Sequence, residues 1–335
     1  MTRQLSTMVS AGLPLSKAFM ILASQTDSAK LSQALSDVRI DVQSGLTLSV
    51  AMERRPEVFP VLMTSLVSAG ETGGFLDKAL DSVAQTFESD AKLRSTIRSA
   101  MTYPIAVLLM AVVGVIAMLI FIVPIFQKMF HDLGGTLPWP TQVLVFLSPI
   151  AAWGSPFLLA GVLLFSAWWR KNKNQEWVRK SVDPVKLRIP VFGNLFKKIA
   201  LARFARNFSN MIKAGVPILQ ALGVIGQTAG NWQVEQAVVR VQESVRLGTT
   251  VSQPMAAEKV FPVMVTQMVA VGEDAGSLES MLAKVADFYD QEIEATTTQL
   301  TALIEPLMIA LIGVIIGAML ISLYLPIFTI FTVIH

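Results

Sequence analysis

Three long stretches of this chain carry no charge: residues 105–126, 143–169 and 307–334. Each meets the length of roughly 20 residues that a helix needs to cross a hydrocarbon core. Backbone polar groups have no water partner there, so each run is expected to be helical. Between the runs, apolar positions recur at helical spacing. Leu76, Leu80, Val83, Ala84 and Phe87 mark one face of an amphipathic helix, and Leu278, Leu282, Val285, Ala286 and Tyr289 repeat it. Leu15, Ala18, Phe19 and Leu22 form a second stripe, matched by Ile218, Ala221, Leu222 and Ile225. No strand-like alternation of comparable length occurs.

The repetition extends well beyond the stripes. Arg3, Ser6, Met8, Gly12, Pro14, Gly45, Thr47, Ser49 and Met52 recur 203 residues later, from Arg206 to Met255. One deletion follows. Phe59, Pro60, Gly70, Glu71, Gly74, Leu76, Pro104, Pro124 and Phe126 then recur 202 residues later, from Phe261 to Phe328. The chain is a tandem of two like modules, each running into an apolar span. Gly-Leu-Pro at 12–14 and Gly-Val-Pro at 215–217 mark breaks between helices, because Gly permits a left-handed turn and Pro suits the start of the next helix. Gly45 and Gly248 mark another. Each module is expected to hold five or six short antiparallel helices. Copy one starts where copy two already has a preceding run, IPVFGNLFKKIALAR, so the first module reads as shortened at its N-terminus.

Charge assigns the sides. From Arg170 to Arg206 there are eleven Lys or Arg against two acids, whereas residues 128–142 hold one Lys and one Asp. Basic loops stay on the cytoplasmic side. Span one therefore leads out, span two returns and span three leads out again. The expected fold class is an all-α membrane protein with two homologous cytoplasmic antiparallel helical bundles and three transmembrane helices. Its expected order is module one at 1–102, span one at 103–127, an external loop at 128–142, span two at 143–169, a basic cytoplasmic linker at 170–200, module two at 201–302, span three at 303–331 and an external tail at 332–335. The N-terminus is expected in the cytoplasm and the C-terminus outside.

Composition narrows the chemistry. The chain is 53% hydrophobic and 15% charged, with net charge +3 and mean hydropathy +0.57. With no cysteine and only His131 and His335, thiolate chemistry and disulfides are excluded. No phosphate loop, HExxH or GxSxG motif occurs, so no catalytic, cofactor or metal site is expected and energy must come from a partner. A transporter or channel subunit acting as an oligomer is the competing class. Against it, no span carries an ionisable residue in its core.

The motifs Gly70-Glu71-Thr72-Gly73-Gly74-Phe75-Leu76, Gly272-Glu273-Asp274-Ala275-Gly276-Ser277-Leu278, Ala100-Met101-Thr102-Tyr103-Pro104, Ile189-Pro190-Val191-Phe192-Gly193, Ala202-Arg203-Phe204-Ala205-Arg206, Glu305-Pro306 and Leu325-Pro326-Ile327-Phe328 together cover the chain. In these the chain resembles the type II secretion F / type IV pilus PilC platform proteins of the bacterial inner membrane. Members of that family carry a further N-terminal segment before the first module. The resemblance implies a scaffold rather than an enzyme. Its implied partners are a cytoplasmic hexameric assembly or retraction ATPase, pilins or pseudopilins, other inner-membrane assembly subunits and a second copy of itself, as a dimer. Pilus, secretion and DNA-uptake machines share such a component.

Several residues admit two readings. Gly70-Glu71 and Gly272-Glu273, with Gly74 and Gly276, read as helix–helix turns whose acid faces the positive start of the next helix, or as a contact surface for the ATPase. Glu305 before Pro306 reads as an acid favoured at the start of a span, or as a relay of motion into it. The basic stretch, including Arg203 and Arg206, reads as a topology signal that contacts anionic membrane lipid, or as a docking site for an acidic ATPase surface. Nucleic acid is not an expected partner, because aromatic and basic residues are not interleaved. Gly313 and Gly317 form a GxxxG pattern suited to close helix approach, and His131 reads as a solvated loop residue.

Overall fold

The computed structural model describes residues 1–132, 137–172, 175–190 and 192–333. The expected external loop and tail therefore lie partly outside the described residues, as do the side chains of His131 and of residues 327–333. Every regular element among the described residues is helical. Module one comprises α1 (Thr2–Ser10), α2 (Leu15–Gln25), α3 (Ala29–Gln43), α4 (Leu48–Glu53), α5 (Val61–Gly73) and the start of α6 (Leu76–Ala117). A π turn at Met118–Ile122 leads into α7 (Val123–Asp132), followed by α8 (Trp139–Asn172) and α9 (Glu176–Arg188). Module two comprises α10 (Phe192–Lys213), α11 (Ile218–Thr228), α12 (Trp232–Arg246), α13 (Ser252–Ala257), α14 (Val263–Asp274) and the start of α15 (Leu278–Val333). The duplication is visible residue for residue: α2 and α11, like α3 and α12, begin and end 203 positions apart.

Residues Met1–Thr96 and Arg179–Thr296 form one compact unit. Its core is built by the predicted stripes. Ala18, Phe19 and Leu22 are buried, as are Ala221, Leu222 and Ile225, and so are Leu80, Val83 and Ala84 together with Leu282, Val285, Ala286 and Tyr289. Burial of Tyr289 raises its phenol pKa. Ser28 caps α3 through its hydroxyl, and Asn231 caps α12. Asp183 adds to the α12 cap by accepting from the amide of Trp232 at 3.1 Å. The region expected as a basic linker is thus largely helical, α9 and the start of α10, and its side chains bond to module two. Arg179 pairs with Glu235 at 2.6 Å, and Lys198 with Glu292 at 2.8 Å.

The other unit holds Ile97–Val178 and Thr297–His335. Three helical stretches, Leu76–Phe130, Trp139–Asn172 and Leu278–Pro326, contain windows long and apolar enough to cross a membrane. Leu119 and Val123, Leu144, and Met319 and Leu323 bring all three into one buried cluster. In both copies the stripe that closes the module and the apolar run belong to one continuous helix, α6 with its π turn and α15.

One ion pair shows the two modules diverging while keeping a bridge between the same two positions. In copy one, Arg55 donates to Asp37 at 3.0 Å and to Asp41 at 2.9 Å. The positions equivalent to Asp37 and Arg55 are Arg240 and Glu258, which pair at 2.6 Å with the charges exchanged. The arginine in each case holds the carboxyl of Asp37 or Glu258 below its usual range. Asp37→Arg is expected to set two guanidinium groups against each other and lower stability by about 1 kcal/mol. Adding Arg55→Glu together with Asp41→Ser, since copy two has Ser244 at the position of Asp41, rebuilds the copy-two arrangement and is expected to recover most of that loss in denaturation of the purified protein.

Candidate functional site

The paired Gly-Glu motifs are placed by helix ends. The structure revises the local reading of both. Gly70 and Glu71 lie inside α5 rather than closing it, and the left-handed residue that ends α5 is Gly74, with φ 74°. Gly276 takes the same role in copy two, with φ 63°. A side chain at either position meets a Cβ–carbonyl clash that glycine lacks. Glu71 does face a positive helix start, but it is that of the preceding helix α4. Its carboxylate accepts from the amide of Ser49 at 2.9 Å, from the amide of Leu48 and from the Ser49 hydroxyl. Thr47 takes the next free amide, that of Val50. Glu273 repeats the arrangement on α13, accepting from Ser252 at 2.8 Å and from Val251. One carboxylate thus supplies two charge-assisted bonds to a helix six residues long, too short to organise its own first turn.

The glycine before each acid lets the chain fold back. A Cβ on Gly70 would stand 2.5 Å from the Cβ of Ala79, and one on Gly272 would stand 2.9 Å from the Cα of Leu278. The following helix packs directly against the backbone at these points. The Gly-Glu pair is a structural unit: glycine admits the next helix, glutamate ties down the previous one.

The arginines sit elsewhere in the same unit. Arg206 pairs with Asp290, and its copy-one equivalent Arg3 pairs with Glu88, the equivalent of Asp290. Arg3 also reaches Asp81, and these two carboxylates raise the pKa of its guanidinium. Arg203 instead joins the two modules, donating to Asp90 at 3.1 Å. Beside it the buried Asn210 donates to Thr86 at 2.7 Å. The Phe75 ring lies 3.1 Å from where a Cβ on Gly215 would stand, so the turn after α5 packs on the turn after α10. Gln85, Glu88, Arg206, Asn210, Lys213 and Asp287 line a polar cleft of about 300 Å³ between the modules. The Phe75, Thr86 and Asn210 contacts escaped the sequence reading. Their signal was divergence: they stand where the other copy has Ser277, Phe288 and Thr7.

Glu305 is exposed and belongs to the second unit. It lies well inside α15, which begins at Leu278, so no free helix start stands beside it and the dipole reading of this acid is corrected. A Cβ built on Gly313 or Gly317 has nothing within 4 Å among the described residues, so neither glycine is needed there for a close approach. The structure therefore places Arg203 and Arg206 on α10 and leaves each Gly-Glu pair in its own module, whereas Glu305 belongs to the other unit.

Glu71→Gln keeps the shape but removes the charge from a site with three donors. A loss of about 1–3 kcal/mol is expected, with a smaller loss for Glu273→Gln, where the acid accepts from two amides, read by thermal unfolding of each variant. Losses at both positions would identify a fold role common to both copies.

Comparisons with known proteins agree with this duplicated architecture. The family model described as type II secretion system (T2SS), protein F matches twice, at residues 1–124 and 204–326. The type IV pilus assembly protein PilC of Myxococcus xanthus is 43% identical over 98% of this chain and 79% of its own length. PilC of Thermus thermophilus is also 43% identical, over 98% of this chain and 81% of its own length. The type II secretion system protein F of Vibrio cholerae is 34% identical over 97% of this chain and 80% of its own length. With both modules and their spans matched in register, the chain belongs to the type II secretion system protein F family.

Proposed function

We propose that this chain is the inner-membrane platform of a type IV pilus machine, or of the related type II secretion machine, and couples a cytoplasmic hexameric ATPase to extraction of pilins or pseudopilins from the membrane. The observation that carries the reading is 43% identity to a type IV pilus assembly protein across 98% of the chain. The lower figure of 34% for a secretion protein F favours the pilus side. In this reading residues 1–102 and 201–302 are the cytoplasmic modules, spans 103–127, 143–169 and 303–331 cross the membrane, and the C-terminus is external. Other inner-membrane assembly subunits and a second copy of the chain complete the platform.

The physical support is a division of labour. The modules present charged helical surfaces with no nucleotide motif, and the spans are long and apolar. Such a chain transmits force supplied by a partner. Because each Gly-Glu pair is committed to its own helix ends and the α10 arginines are committed to ion pairs, the ATPase contact is better placed on exposed basic residues such as Lys78, Lys92 and Arg98 of α6 and Lys180 of α9. In nanodiscs, the purified chain is expected to bind the assembly ATPase of its own organism saturably and to change its rate of ATP hydrolysis. An active hexamer that neither binds nor changes rate, with the chain alone or extended at its N-terminus, would remove the adaptor role.

A further inference from the structure

The prolines at 124 and 326 are equivalent positions of the duplication, and both lie within helical runs of the apolar spans. A proline has no amide hydrogen, so each removes one donor from a helix ladder. In α15 the amide of residue 326 would ordinarily bond the carbonyl of Ser322, four residues back. That carbonyl instead accepts from the hydroxyl of Thr141 on α8. In the first span the π turn shifts the register by one, so the amide of Val123 bonds the carbonyl of Met118. The next donor in that register would be residue 124, bonding Leu119. The carbonyl of Leu119 instead accepts from the hydroxyl of Ser148 on α8, at 2.7 Å.

We propose that the second span is a clasp: Thr141 and Ser148 donate the two hydrogen bonds that Pro326 and Pro124 withhold, and so set how the two duplicated spans pack. The arrangement is built for it. Thr141 and Ser148 are seven residues apart, two helical turns, and therefore share one face of α8. Their side chains are 1% and 6% exposed, and they flank Leu144 in the cluster formed with Leu119, Val123, Met319 and Leu323. In hydrocarbon an unpaired carbonyl has no water to turn to, and Ser and Thr hydroxyls are the side chains that repair proline breaks between neighbouring helices. The non-duplicated span thus does more than return the chain to its starting side. It supplies in trans what the duplicated prolines removed twice.

A double-mutant cycle tests this on the full chain in nanodiscs, read by thermal unfolding. Thr141→Val keeps the volume and removes the hydroxyl; Ser148→Ala removes the other. Each is expected to lower Tm by about 1–3 °C, while Thr141→Ser and Ser148→Thr keep it. In a Pro326→Ala background the restored amide bonds Ser322, and Thr141→Val is expected to have no further effect. Pro124→Ala is expected to cancel Ser148→Ala in the same way. Should Thr141→Val alone fail to fold, its recovery by Pro326→Ala supports the clasp. Failure in both backgrounds, or equal losses with and without proline, would overturn it.

Discussion

A backbone amide or carbonyl without a partner is what this chain is arranged to avoid, and its polar side chains are distributed accordingly. Amides left free at a helix start and carbonyls left free by a proline make opposite demands. Free amides at the starts of α4 and α13 receive carboxylates, from Glu71 and Glu273. Free carbonyls within the spans receive hydroxyls, from Thr141 and Ser148. The choice follows from physics. A carboxylate in the charged modules gains from charge assistance, whereas a charge in an apolar span is costly and a neutral hydroxyl suffices.

Duplication explains why these devices come in pairs, and divergence shows where the copies acquired separate tasks. The Gly-Glu pair is unchanged because both copies fold their fifth helix back closely onto the sixth, leaving no room for a Cβ at the glycine. The ion pair between the third helix and the turn after the fourth has exchanged its charges and survives, since an ion pair is indifferent to which partner carries which sign. Divergence without exchange marks the surface between modules. Phe75, Thr86 and Asn210 meet there, and none has a like residue in the other copy.

The family membership and the structure agree on a duplicated, all-helical membrane protein. Two modules carry charged surfaces and internal ion pairs, and each ends in a helix that also carries a span-length apolar run. The clasp would give the spans a defined packing although their prolines weaken the ladders of the first and third.

Much of this was legible in the order of residues. Periods of apolar positions located the helices, the constant offset revealed the tandem, and uncharged runs marked the three helices long and apolar enough to span a membrane, because helicity and hydrophobicity are set by local composition. The acids at Glu71 and Glu273 were visible as a motif, but their target was not. The carboxylate reaches 22 residues back to Ser49, and no spacing rule predicts a contact between helices. Thr141 fell outside the span read at 143–169, because a hydroxyl and an amide beside each other look like a loop until a carbonyl is seen facing one of them. Sequence alone determined what each segment is, since helicity and hydrophobicity are properties of neighbours along the chain. Tertiary structure decided which donor meets which acceptor, because that depends on distances between helices far apart in sequence.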